Sequence, residues 1–158
     1  MSSSFWQIAS PIGMLTLCEE EGCLTALFFG QPDMGEKPSR CTPLMKQATA
    51  QLHAYFAGQL QQFDLPLMPR GTLFQQKCWN ALLEIPYAQT RTYGQQAAAV
   101  GNPKAARAVG AANHRNPLPI LIPCHRVVGK DDQLTGYAGG LPIKQFLLAL
   151  EQKAVCGG

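Results

Sequence analysis

Along the first thirty residues, apolar and polar positions alternate in short runs. Phe5–Ala9, Met14–Cys18 and Cys23–Phe28 each read as a strand, because side chains two apart share a face. Ser10-Pro11-Ile12-Gly13 and Glu20-Glu21-Gly22 separate them with turn chemistry, so the pattern predicts a three-stranded antiparallel meander. The Pro- and Gly-rich stretch 31–40 reads as a loop. The period then changes. Thr42 offers an N-cap, Pro43 fits the first helical position, and Leu44, Met45, Ala48, Leu52, Tyr55 and Phe56 recur at helical spacing until Gly58. Phe63–Leu67 reads as a further strand, and Pro66, Pro69, Arg70 and Gly71 as a linker, dividing the chain into 1–70 and 71–158.

The second half has the helical period. Thr72-x-x-Gln75 is a capping box, and the helix it opens runs through Trp79, Leu82 and Leu83 to Pro86. A short helix is predicted over Gly94–Val100. In Gly101-Asn102-Pro103, Gly ends that helix, Asn caps the next and Pro starts it. The next helix, Lys104–Asn113, is lined by alanines and Gly110 and carries Lys104 and Arg107. Two helices joined by a tight Gly turn outline a helix-turn-helix, and small side chains let a helix approach a groove closely; tight helix packing explains the same pattern equally well. The last helix, Pro142–Lys153, turns Ile143, Phe146, Leu147 and Leu150 to one side.

Composition bounds the class. The 158 residues are 46% hydrophobic and 15% charged, which supplies a core and argues against disorder. No apolar run has the length of a membrane span, and Met1–Ser4 before Phe5 and Trp6 does not read as a signal peptide, so a soluble, cytoplasmic protein is expected. The net charge of +3 hides an asymmetry. Residues 1–70 balance to −2 and residues 71–158 to +5. Between Ile85 and Lys130 there is no acid, while Arg91, Lys104, Arg107, Arg115, Arg126 and Lys130 are basic. Such a one-sign stretch suits a polyanion, phosphate backbone being the commonest, or is a basic surface without a partner.

Six cysteines, in a chain read as intracellular, are expected to be free thiols. Cys18, Cys23, Cys41 and His53 do not have metal-ligand spacing, so no metal and no cofactor is expected. One cysteine has a chemical neighbourhood. In Asn116-Pro117-Leu118-Pro119-Ile120-Leu121-Ile122-Pro123-Cys124-His125-Arg126-Val127-Val128, three prolines forbid helix and the apolar residues place Cys124 against the core. Burial should raise its pKa and make it inert unless His125 acts as its base. Neighbours on a straight strand face opposite ways, so this pair needs a bend or a bridging water. On local grounds it is also readable as a structural Cys beside a surface His, and Glu151 as an exposed acid in a last helical turn. Gly136-Tyr137-Ala138-Gly139-Gly140 is an aromatic glycine loop able to approach a planar ligand, or a surface loop.

Taken together, these motifs resemble the O6-alkylguanine–DNA alkyltransferases, the methylated-DNA–protein-cysteine methyltransferase family. Pro123-Cys124-His125-Arg126-Val127, Asn116-Pro117, Thr92-Tyr93-Gly94, Gly101–Gly110 and the Gly136–Gly140 loop carry the resemblance, which runs from about Thr72 to Glu151. It implies an α+β chain: a small N-terminal ribonuclease-H-like α/β domain, then a mainly helical, winged-helix-like DNA-binding domain. It implies monomeric binding of duplex DNA through the minor groove, flipping of the damaged base, and irreversible transfer of the alkyl group from O6-alkylguanine, and from O4-alkylthymine, to Cys124. His125 would deprotonate Cys124 through a water, Glu151 would orient His125, and Asn116 would be the hinge. Tyr93 would crowd the target phosphate and assist the leaving guanine. Arg107 would enter the base stack, with Lys104, Ala106 and Arg115 also on DNA. Tyr137, Ala138, Gly139, Pro119 and Val127 would wall the pocket. Some relatives carry a hydroxyl residue at the position of Ala138, so here backbone N–H would meet the guanine oxygen. Two other classes compete: a lesion sensor without chemistry, which Cys124 opposes, and a Cys-His-Glu hydrolase, which the basic stretch opposes.

Overall fold

The computed structural model describes residues 3–130, 134, 136, 137 and 139–156, and its chain divides into two compact units, Met1–Arg70 and Gly71–Gly158. In the first unit β1 (Ser3–Ile8), β2 (Leu15–Glu20) and β3 (Cys23–Phe29) form an antiparallel sheet in sequence order. The β2–β3 turn is tight because Glu21 and Gly22 both have positive φ, 51° and 79°, the conformation that matches strand twist. Helix α1 (Pro43–Phe56) starts where Thr42 accepts a hydrogen bond from the Met45 amide. Its buried stripe, Met45, Ala48, Leu52 and Tyr55, joins Leu15, Leu17, Leu24 and Leu27 of the sheet in the core of this unit.

The strand expected over Phe63–Leu67 does not form. Leu67 makes a single parallel bridge to Leu24, using the Pro66 and Leu24 carbonyls and the Leu24 and Met68 amides. Pro66 has no N–H to extend the ladder.

The second unit holds α2 (Leu73–Leu83), β4 (Arg91–Thr92), α3 (Tyr93–Ala99), α4 (Ala106–His114), a 3-10 turn at Cys124–Arg126, β5 (Val127–Val128) and α5 (Leu141–Cys156). β4 and β5 pair in parallel. Helices α2 and α3 both pack on α4. The indole N–H of the buried Trp79 donates to the Ala112 carbonyl at 2.9 Å, which fixes α2 to α4. Gln96 of α3 and Asn113 of α4 exchange two hydrogen bonds of 2.9 and 2.7 Å, and Gln96 also reaches the Cys78 carbonyl. Capping boxes at both Thr72 and Thr92 set the starts of α2 and α3. Helix α4 begins later than expected: Ala105 occupies the cap without a side-chain bond, and Asn102 instead accepts the Ala105 amide through its carbonyl. Lys104 therefore lies in the turn before α4, not on the helix. Strand and helix content make the chain α+β.

Candidate active site

The segment entering the site is a strained, buried fold of chain. Asn116 holds it from inside: its amide donates to the Ile122 carbonyl at 2.9 Å and its side-chain oxygen accepts the Leu118 amide at 3.0 Å. Between them Ile120 has φ +74°, a conformation that a β-branched residue adopts only under compulsion, at about 1–3 kcal/mol. Burial of Leu118, Ile120, Leu121 and Ile122 supplies that compulsion. The chain then turns at Cys124–Arg126. A 3-10 turn sets consecutive side chains roughly 120° apart, in place of the opposite faces of a strand, and this is the bend the Cys-His pair requires.

Cys124 is 6% exposed. Burial pushes its thiol up to about 11, against hydrogen bonds from the Asn116 and Tyr137 side chains and its own backbone and against the charge of Lys144. It lies in a pocket lined with Tyr93, Gly110, Asn113, His114, Gly136 and Tyr137. Gly110 of α4 faces the Tyr93 ring, which lies 3.6 Å from where a Cβ would sit, an ordinary contact distance.

Behind the thiol is a buried charge network. The His125 Nε2–H donates to Glu151 at 2.6 Å, and Arg126 grips the same carboxylate through Nε at 2.9 Å and Nη2 at 3.1 Å. The Ala88 amide donates to it at 3.0 Å from a residue with φ +62°. Burial would push the Glu151 carboxyl up, but the hydrogen bonds of His125 and Arg126 and the charge of Arg126, joined by that of His125 once it is protonated in acid, hold it at about 2. For His125, burial lowers the pKa, with Arg126 and Lys144 lowering it further against the pull of Glu151. The imidazole is therefore neutral with its proton on Nε2, which leaves a lone pair on Nδ1. That Nδ1 is buried and has no hydrogen-bond partner among the described residues.

Sequence reasoning missed five members of this site. Arg126, counted among the bases facing a polyanion, is buried and committed to Glu151 and to the Ile85 carbonyl at 2.8 Å. Lys144 is fully buried with Nζ 2.6 Å from the Val127 carbonyl, and its pKa is lowered by burial. The available signal was spacing: Lys144, Leu147 and Glu151 fall at i, i+3 and i+7, one helical stripe, and all three are fully buried. The expected apolar face is displaced accordingly, with Phe146 38% exposed. Asn113, with its carboxamide fixed by Gln96, is the third, and Gly110 and His114 of the pocket wall complete the five.

Of the remaining candidates, Tyr93 and Tyr137 line the pocket. Pro119 and Val127 are buried and Gly139 half-buried, outside its lining. Ala138 lies outside the described residues. Lys104, Arg107 and Arg115 are exposed and Ala106 is half-buried, on α4 and the turns at its two ends. All six cysteines are free. Among the described residues no group of three or more His, Cys, Asp or Glu could hold a metal ion, and no helix is long and apolar enough to cross a membrane.

Comparison with known proteins gives this geometry relatives. Residues 73–153 match the family described as 6-O-methylguanine DNA methyltransferase, DNA binding domain, and residues 7–69 match its ribonuclease-like domain. A methylated-DNA–protein-cysteine methyltransferase of Methanosarcina acetivorans is 53% identical over 90% of this chain and 94% of its own length. The constitutive enzyme of that name from Bacillus subtilis is 50% identical over 90% of this chain and 92% of its own. The crystal structure of Mycobacterium tuberculosis OGT in complex with DNA superposes with a TM-score of 0.90 at 47% identity, covering 96% of this chain and 94% of that one. Matched in both units and half identical to relatives along nearly its whole length, the chain belongs to the methylated-DNA–protein-cysteine methyltransferase family.

Proposed function

We propose that this protein repairs alkylated DNA by direct reversal, moving the alkyl group of O6-alkylguanine, and of O4-alkylthymine, onto Cys124 once per molecule. In this reading residues 71–158 bind DNA and accept the alkyl group, while 1–70 form the ribonuclease-like domain. The observation that carries it is a buried thiol in a pocket, with an adjacent neutral imidazole whose Nδ1 lone pair is unpartnered and whose other nitrogen is held by an ionised carboxylate. Relatives named for this activity at half identity support it, as does the DNA complex of the Mycobacterium structure.

His125 Nδ1 takes the Cys124 proton through a water, and Glu151 stabilises the imidazolium that forms. Lys144, Asn116 and Tyr137 favour the thiolate. The sulfur attacks the alkyl carbon, the carbon–oxygen bond breaks with its electrons going to O6, and the guanine ring takes a proton as it leaves. Tyr93, in the pocket wall, assists that departure. The product is a thioether, which has no ionisable proton and no return path. A stacked base is out of reach of a buried thiol, so the lesion is flipped from the minor-groove side of a single bound copy. Arg107, exposed on α4, fills the vacated stack, while Ala106 allows close approach and Lys104 and Arg115 meet phosphate.

The test is mass spectrometry of the Cys124 peptide after incubation with excess O6-methylguanine duplex. One added methyl per chain is expected. An unmodified Cys124 refutes the reading, and repeated turnover would point to a hydrolase or conventional transferase.

A further inference from the structure

We propose that Arg126 is a positioning residue that keeps His125 neutral, and so competent as a base, by sharing the Glu151 carboxylate with it. The inference rests on the reading of His125 as the base for Cys124. A buried imidazole beside an ionised carboxylate ordinarily takes up a proton, because an opposite charge at this distance favours the charged form by about 1–3 pKa units. An imidazolium carries protons on both nitrogens and can accept none. The carboxylate that orients His125 therefore also threatens to disarm it.

Arg126 removes the threat at its source. Its Nε and Nη2 approach the two Glu151 oxygens at 2.9 and 3.1 Å, while His125 shares Oε2 at 2.6 Å. A planar fork of this kind fixes both distance and direction. The third nitrogen is tied to the Ile85 carbonyl at 2.8 Å, and the guanidinium lies 5.5 Å from the centre of the Tyr87 ring. The charge cannot swing away, because Arg126 and Glu151 are both buried.

The titratable and charged groups around His125 come from every element packed there. Glu151 and Lys144 of α5 and Arg126 of its own turn act on His125 directly, Cys124 adjoins it, Tyr87 after α2 interacts with Glu151 and Arg126, and Tyr137 before α5 interacts with Cys124 and Glu151. Burial disfavours a charged imidazole, Glu151 favours it, and the positive charges of Arg126 and Lys144 work with burial against Glu151. Moving the Cys124 proton to His125 conserves the total charge, whereas taking a proton from solvent adds to it. The network therefore admits the internal transfer and resists the external one. Removing Arg126 weakens this discrimination, because only burial and Lys144 are then left to oppose Glu151.

The experiment uses the full chain carrying Arg126→Met. Nuclear magnetic resonance of the His125 ring is expected to show its titration moved up by about one to three units relative to wild type. The rate–pH profile of methyl transfer should be displaced to the alkaline side by the same amount, so that transfer slows by about tenfold per unit of that movement at pH values below both titrations. Arg126→Lys, which keeps the charge, should recover most of the rate. Removing one partner of a buried pair can unfold a chain. The double variant Arg126→Met/Glu151→Gln removes both charges; its His125 should titrate no higher than in wild type, and its slowed reaction should lack the alkaline displacement. A His125 titration unmoved in Arg126→Met, with the rate reduced equally at every pH, overturns the inference while leaving methyl transfer to Cys124 intact. Wild-type protein that never methylates Cys124 overturns the reading beneath it instead, and the titration still decides whether Arg126 holds His125 neutral.

Discussion

Replacing Glu151 with Gln removes a charge that the fold keeps ionised, and the structure says how much that should cost and at which pH. The carboxyl shifts from 4.5 to about 2, which at 1.36 kcal/mol per unit corresponds to about 3 kcal/mol of stability at neutral pH. Its side chain and that of His125 are 0% exposed, so solvent screening does not discount the figure. Leaving Arg126 without its partner gives a cost of the same size, about 3–5 kcal/mol. The sign follows from the direction of the shift. The folded value lies below the unfolded one, so the contribution is whole above pH about 4.5 and is lost as pH falls toward 2. By about pH 3.5, roughly 1–1.5 kcal/mol of it is gone. Urea unfolding of the wild type and of Glu151→Gln at neutral pH and again near pH 3.5 measures this. The other carboxylates titrate alike in both proteins and drop out of the difference, while His125, whose protonation Glu151 favours, is titrated by nuclear magnetic resonance in both and its contribution subtracted. The gap that remains should narrow by about that amount on acidification. A gap that stays constant or widens would refute the buried, low-pKa assignment.

Other substitutions test other contacts. Ala88 holds a left-handed conformation that costs a non-glycine residue about 1–2 kcal/mol, so Ala88→Gly should raise stability by about 1 kcal/mol and the melting midpoint by several degrees. A lower midpoint would show the strain is absent. Gly71→Ala should lose about 1–3 kcal/mol in urea, because the added Cβ would sit 2.4 Å from the Trp79 ring and 2.6 Å from the Gln75 side chain. Lys144→Met removes a cation whose charge favours the Cys124 thiolate, so thiolate absorbance on raising pH should appear later than in wild type; an unchanged onset contradicts that role. Arg107→Ala should weaken extrusion of a fluorescent base analogue more than duplex affinity, and equal losses in both would contradict the proposal that Arg107 fills the vacated stack.

The sheet meander and α1 were readable because local rules decide them: alternation, a positive-φ turn at Glu21-Gly22, a Thr42 cap. The start of α4 was misplaced because Asn102 uses its carbonyl where a side-chain cap was expected. Cys124 and His125 announced themselves as neighbours in a proline-rich run. Glu151 did not. It lies 26 residues from His125, and only its place on one helical stripe with Lys144 and Leu147 marks it as a buried acid. Arg126 was misjudged for the same reason: it was counted as a surface cation because its partner is 25 residues away. Charged residues enter a core only in company, and the company here is assembled by the fold.

The burial of Cys124 bears on how long the protein keeps before use. Oxidants and soft electrophiles attack thiolates, and a 6% exposed thiol at about 11 presents almost none to the solvent. Cys41 and Cys156, both exposed, are where such reagents arrive first. Under the proposed single transfer to Cys124, this arrangement keeps the acceptor in an inert form until a substrate in the pocket meets the thiol beside His125.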